Sequence, residues 1–148
     1  MKDYLCLLFT VVLLAPAQTQ PPDPLAAISA EREPEKRYWK ALEFATATVT
    51  TARQKYEAGN LEEFRSSLIL VEKSVELSDK TLRSTGKDPA RNPKHFKRAE
   101  QRIRDIVKKL AGLEDTLAVE DRSAVRPIRE NLQKLQEEMV MDIVGRRR

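Results

Sequence analysis

The chain holds one cysteine, one histidine and four glycines in 148 residues, and aromatics make up only 5% of it. Each shortage removes a class of chemistry. A single cysteine, Cys6, leaves no Cys-x-x-Cys-His motif for c-type haem attachment and no internal disulfide. Cys6 follows Leu5 near the start of an apolar stretch, whereas a lipidated cysteine closes such a stretch after a small residue. A single histidine, His95, cannot supply the two Glu-x-x-His pairs of a di-iron bundle or the several Cys or His ligands usual for zinc. Gly59, Gly86, Gly112 and Gly145 lie far apart, so there is no glycine-rich loop to cradle a phosphate. His95 lacks a nucleophile elbow of the Gly-x-Ser-x-Gly kind. The expectation is a protein that is not an enzyme, with no cofactor and no metal.

Long apolar runs are also missing. The longest covers residues 4–14, well short of the ~20 residues that span a bilayer. Lys2 precedes it and Ala15-Pro16-Ala17 follows it, which is the layout of a secretory signal peptide. Cleavage is expected after Ala17, leaving residues 18–148 without cysteine and without a transmembrane segment. The chain is then exported, periplasmic or extracellular, and must fold on an apolar core without disulfides. Three prolines in the first seven positions of QTQPPDPLAAISA mark residues 18–30 as a flexible, extended leader. Residues 31–148 are long enough for one domain.

What the chain does have is charge, 34% of its residues, arranged around apolar seams. Tyr38, Leu42, Ala45, Val49, Ala52 and Tyr56 recur at alternating steps of four and three. The same rhythm runs from Leu61 through Phe64, Leu68, Val71, Val75, Ser78 and Leu82. It returns from Phe96 through Ala99, Ile103, Ile106, Leu110, Leu113 and Leu117, and from Val125 through Ile128, Leu132, Leu135 and Met139. Such spacing puts each set on one side of a helix. It predicts helices over 35–58, 61–84, 93–118 and 123–144, each about 22–26 residues and roughly 33–39 Å long. Asn60 with Glu63 reads as a capping box, Gly86 as a left-handed stop, Asn92-Pro93 as a helix start, and Asp121 or Ser123 as the last cap. Pro127 predicts an irregular start to the fourth helix. The stretch ATATVTTA, 45–52, leans towards strand, but the seam through it outweighs propensity. Short links make neighbours antiparallel, so the fold class is all-α: an up-down-up-down four-helix bundle, with two packed helical hairpins as the alternative.

The stretch ARQKYEAGNLEEFRSSLILVEKSVEL, residues 52–77, resembles the turn between the two helices of a tetratricopeptide repeat at Tyr56, Gly59-Asn60 and the Leu-Glu-Glu that follows. It occurs once, and Phe64 stands where the repeat has a small residue. Arrays need at least about three units, so the likeness implies a tight helical turn rather than a repeat protein. As a whole the chain is similar to small exported bacterial helical proteins without assigned function.

Residues 91–109, RNPKHFKRAEQRIRDIVKK, carry eight Lys or Arg against two acids. On a helix most of these cations fall outside the apolar stripe, and the plainest reading is a solvated face. Lys94, Lys97 and Arg98, however, crowd the first turns, while Glu114 and Asp115 come late. That is the reverse of what the helix dipole favours. Cations and free N–H groups together would draw an anion there, so these three are the candidate anion-binding residues, with Arg146–Arg148 at the same end. An anionic polymer or lipid headgroup is the matching partner; export makes nucleic acid a poor one. The remaining carboxylates read as solvated. Leu70 and Leu77 share a line away from the seam and are the candidate surface for a protein partner or for self-association; Phe44, Met141 and Val144 are also displaced from their stripes. A haem held between His95 and Met139, at one end of the bundle, is the remote alternative. The expected function is protein interaction or scaffolding in the cell envelope, with anion binding as the second reading.

Overall fold

The computed structural model describes residues 23–145. The expected signal peptide with Cys6, residues 18–22 of the expected leader, and Arg146–Arg148 lie outside the described residues. Among those described, every regular element is a helix: α1 (Pro24–Ser29), α2 (Pro34–Glu57), α3 (Leu61–Ser84), α4 (Pro93–Thr116) and α5 (Arg122–Val144). None of these helices is long and apolar enough to cross a membrane.

The leader is not extended throughout. Pro24 stands at a helix start, where its fixed φ is already suitable, and the Asp23 carboxylate accepts the Leu25 N–H at 2.9 Å. Leu25 is buried, so α1 is anchored.

The four long helices begin and end within two residues of the limits set by the seams. Gly59 and Gly86 follow α2 and α3 with φ of +78° and +67°, a conformation that costs glycine nothing. The caps differ from expectation. Asn60, Asn92 and Asp121 hold the cap positions, but none makes a side-chain cap bond. Glu63 pairs with Lys55 across the turn instead of closing a capping box. Asp121 accepts the Tyr56 hydroxyl at 3.0 Å, and that oxygen accepts the Ala118 N–H at 3.0 Å, tying the α4–α5 turn to the end of α2. Pro127 does not disturb α5, which runs unbroken from Arg122; the carbonyl it leaves without a donor is near the helix start, and Pro127 is exposed to water.

The strand-leaning stretch 45–52 is helical because its threonines satisfy themselves within the helix. Thr46 and Thr48 donate their hydroxyls to the carbonyls of Leu42 and Phe44, at 2.8 and 2.7 Å. Ser67, Ser74 and Thr81 do the same along α3. Ala41, Ala45 and Ala52 are fully buried on α2. α2 and α3 form the most extensive helix pair among the described residues, with small buried residues on both helices and the Tyr56 ring against Phe64 near the turn.

α4 and α5 form a second hairpin. The two hairpins lie side by side, with α2 beside α4 and α3 beside α5, while α3 and α4 touch only lightly. A ring of sequence neighbours would instead put α3 fully against α4 and α5 against α2. The contacts that fix the arrangement join like ends. Tyr38 near the start of α2 meets His95 near the start of α4 at 3.0 Å, and Arg83 near the end of α3 meets Asp142 near the end of α5 at 2.7 Å. α2 and α4 are therefore parallel neighbours, as are α3 and α5. The connection over residues 85–92 is long enough to allow this crossing.

One core joins all four long helices, and Leu42, Val71, Ile106, Leu110 and Leu132 are at most 1% exposed within it. Ser78 is also fully buried, and its hydroxyl has no hydrogen-bond partner among the described residues. Three substitutions test this packing by denaturant titration. Leu110→Ala should cost about 2–5 kcal/mol, the loss of transfer energy plus a cavity. Lys108→Ala should change stability by less than about 0.5 kcal/mol. Ser78→Ala should raise stability by about 1 kcal/mol, because it removes a buried hydroxyl that nothing satisfies.

Candidate anion-binding site

The start of α4 forms one wall of an open cleft of about 490 Å³, lined by the 85–92 connection and by Pro93, Lys94, His95 and Lys97. Local turns place its cations. Gly86 reverses the chain and brings Lys87 to the rim. Asp88 accepts the N–H of Ala90 through its side chain at 2.9 Å and that of Asn92 through its carbonyl at 2.8 Å, which fixes Arg91 and the entry into α4.

The cations divide into occupied and unoccupied sets. Lys87 and His95 Nε2 both approach Glu35 Oε1, at 3.3 and 3.1 Å. Arg91 lies 3.7 Å from Asp88. Among the described residues no ion pair takes Lys94, Lys97 or Arg98. The first turn of α4 carries no acid, and Asn92 gives it no side-chain acceptor. The first turn of α2, its parallel neighbour, carries Glu35. The positive end of the α4 dipole is thus left to solvent and to whatever anion arrives.

Of the three predicted anion-binding residues, the structure brings Lys94 and Lys97 to the cleft and sends Arg98 elsewhere. The Arg98 guanidinium lies 3.8 Å from the centre of the Trp39 ring, and Arg102 lies 5.6 Å from it. Trp39 is held in turn by its Nε1–H, which donates to Glu43 at 2.8 Å. Stacking of this kind fixes a guanidinium plane and leaves its N–H edge free.

His95 is clasped rather than open. Its Nδ1 lies 3.0 Å from the Tyr38 hydroxyl and its Nε2 faces Glu35. Burial pushes the pKa of the Tyr38 hydroxyl up; Arg98 pulls against this and Glu35 adds to it, leaving it raised. The phenol therefore keeps its proton at neutral pH, and its oxygen stays within hydrogen-bond reach of His95 Nδ1 while Nε2 faces Glu35. The order hydroxyl, imidazole, carboxylate is that of a hydrolytic triad. Tyr38, at 1% exposed, is closed to substrate, and its raised pKa opposes ionisation. Both ring nitrogens are engaged and Met139 is sealed in the core at 0% exposed, which leaves neither positioned as an axial ligand for haem. No group of His, Cys, Asp and Glu suited to a metal ion occurs among the described residues.

The sequence places all the acids of α4 in water, and two of them are not there. Glu100 is 5% exposed and accepts from Arg104 and from Gln136 of α5. Glu114 is 8% exposed and accepts from Arg126 at 3.0 Å and Arg129 at 2.9 Å. Both acids reach α5; Glu114 is neutralised there, whereas the charge on Glu100 is matched by Arg104 of α4 itself. The outer faces of α4 keep its cations, with Asp105 and Asp115 as its exposed acids.

The proposed partner line on α3 is only half available. Leu70 and Leu77 are half-buried, while Ile69 beside them is 48% exposed. Met141 and Val144 are exposed near the end of α5, and Phe44 is half-buried on α2.

No protein-family model matches this chain, no curated protein matches it, and no solved structure matches it.

Glu114 supplies a pH test of the α4–α5 clasp. Burial raises its pKa, but hydrogen bonds from Arg129 and Arg126 outweigh this, and the folded value is lowered below the usual 4.5. A lowered folded pKa adds stability above the unfolded value and loses it as pH falls through the folded one. Glu114→Gln should therefore be less stable than the parent at pH 7, and the gap should close as acid takes the pH below about 4.5. Denaturant midpoints across pH 2–7 would measure it. A gap that persists unchanged in acid would show that Glu114 acts through packing rather than charge.

Proposed function

We propose that this chain is an exported, non-enzymatic helical binding protein of the cell envelope, and that anionic groups are what it binds. The observation that supports this most directly is the cleft at the start of α4, where Lys94 and Lys97 face solvent beside an uncapped helix end and have no ion-pair partner among the described residues. A phosphate, sulfate or carboxylate group entering the cleft meets lysine ammonium groups and first-turn N–H donors together. Charge-assisted hydrogen bonds to such donors are roughly twice as strong as neutral ones. Lys87 and His95 sit at the edge, already held by Glu35, so the site has a fixed rim and two free cations. Nothing in this requires bond chemistry, and the clasped His95 is read as part of the frame. The scaffold reading would rest on Leu70 and Leu77, and both are half-buried.

Pyrophosphate binding measured by calorimetry on residues 18–148 tests the reading. Affinity should fall as salt rises, because exposed charges are screened over about 8 Å at physiological ionic strength. Lys94→Gln/Lys97→Gln should weaken binding at least about tenfold, the equivalent of ~1.4 kcal/mol. The same pair of changes should leave stability unchanged or slightly raised, since it relieves cations set against a positive helix end. Equal binding by variant and parent would overturn the site. Arg98 is left in place because its stem and guanidinium cover Trp39, and removing it would confuse packing with charge.

A further inference from the structure

The cleft at the start of α4 is lined by the 85–92 connection and by α4 alone, and Lys94 at its mouth begins a line of cations along the side of α4 that meets α2. α2 and α4 run parallel and adjacent, so a groove follows the seam between them. A second open cleft, about 280 Å³, lies further along it, lined by Val49, Thr50 and Arg53 of α2 and by Lys109 and Gly112 of α4. Lys94 and Lys109 are fifteen residues apart in one helix, which sets them about 22 Å from each other. Between them stand Arg98 and Arg102, stacked on Trp39. Residues 94, 98, 102, 105, 109 and 112 fall on one side of α4 by helical spacing.

The state of these side chains points outward. Among the described residues no ion pair takes Arg98, Arg102, Arg53 or Lys109. The Nε of Arg102 is shielded from water and has no hydrogen-bond partner there. Gly112 opens the floor of the second cleft: a Cβ at that position would meet nothing within 4 Å. Acids are few along the groove. Glu43 accepts the Trp39 N–H and keeps its charge beside the arginines, and Asp105 is exposed.

We infer that the α2–α4 groove binds a linear anionic polymer, with phosphate-like groups several units apart along it held at the α4 start, at the Arg98–Arg102 pair and at the Arg53–Lys109 cleft. This rests on the anion-binding reading of the first cleft and extends it to a ligand class. The polymer is distinguished from a membrane surface by what is missing beside the cations. Helices that lie on bilayers bury an apolar face in the interface. Here the exposed large apolar residues among those described are Leu61, Ile69, Val119, Met141 and Val144, none of them on α2 or α4. Single-stranded nucleic acid wants free aromatic faces for its bases. Trp39 is stacked by Arg98, and Tyr38 and Phe96 are buried.

Long-chain inorganic polyphosphate and pyrophosphate carry the same chemistry at different lengths, and binding of each to residues 18–148 at fixed ionic strength tests the inference. The parent should bind the long chain at least tenfold more tightly per protein than pyrophosphate. Arg53→Gln/Lys109→Gln should weaken the long chain at least fivefold and leave pyrophosphate unchanged. Gly112→Glu, which places a carboxylate in open space without touching the core, should do the same, and Asp105→Asn should tighten the long chain. If Lys94→Gln/Lys97→Gln abolishes binding of both ligands while the far-end changes affect neither, the groove is refuted and the single cleft stands. If neither ligand binds the parent at low salt, both readings fall. Tighter binding to phosphatidylglycerol vesicles than to polyphosphate, unaffected by Gly112→Glu, would overturn the polymer in favour of a bilayer.

Discussion

The close approach of α2 and α3 is the constraint on which the rest depends. Buried alanines on one helix and buried serines and a threonine on the other suit two long helices that meet closely. The price would be buried hydroxyls, but most of them donate to carbonyls one turn back and cost little. Once that pair is fixed, its remaining apolar positions form a broad face. The α4–α5 hairpin covers it with larger residues, Ile103, Ile106, Leu110 and Leu132. Small residues set the spacing of one half and large ones fill the gap to the other.

That division also explains where the charge goes. α4 must face the core on one side and α5 on another, and its buried acids grip α5 through Gln136, Arg126 and Arg129, while Glu100 also pairs with Arg104 of its own helix. Glu114, spent on two arginines of α5, is lost to the cations of α4. The outer side of α4 is therefore more basic than its composition alone implies. Its neighbour α2 contributes Trp39, which fixes two arginines instead of quenching them.

Much of the fold was legible because helix limits and core faces are local properties. Periodicity located four seams, and Gly59, Gly86 and Pro93 marked their ends with backbone conformations only certain residues favour. Which helices lie side by side was not legible. Every seam is apolar, and nothing in a 3.5-residue rhythm says whether α4 prefers α2 or α3. The cleft was legible through Lys94 and Lys97 because an uncompensated dipole is visible in sequence. That Arg98 lies outside this cleft was not legible, because its partner, Trp39, is 59 positions away. Glu100 and Glu114 were read as solvated for the same reason: burying a carboxylate depends on arginines and a glutamine that only the fold supplies. Leu70 and Leu77 looked free because they lie off the stripe of their own helix, yet neighbouring side chains half-cover them.

The crossing over residues 85–92 has a consequence for how the molecule assembles. Most contacts within each hairpin join residues close in sequence, so each can form at small loop-closure cost. The seam between α2 and α4 joins residues more than fifty positions apart and exists only after the two hairpins have docked. A groove made at that seam is absent from every partly folded chain. Anything that lies across it acts as a fastener between the two halves, binding the finished protein alone and drawing the equilibrium towards it.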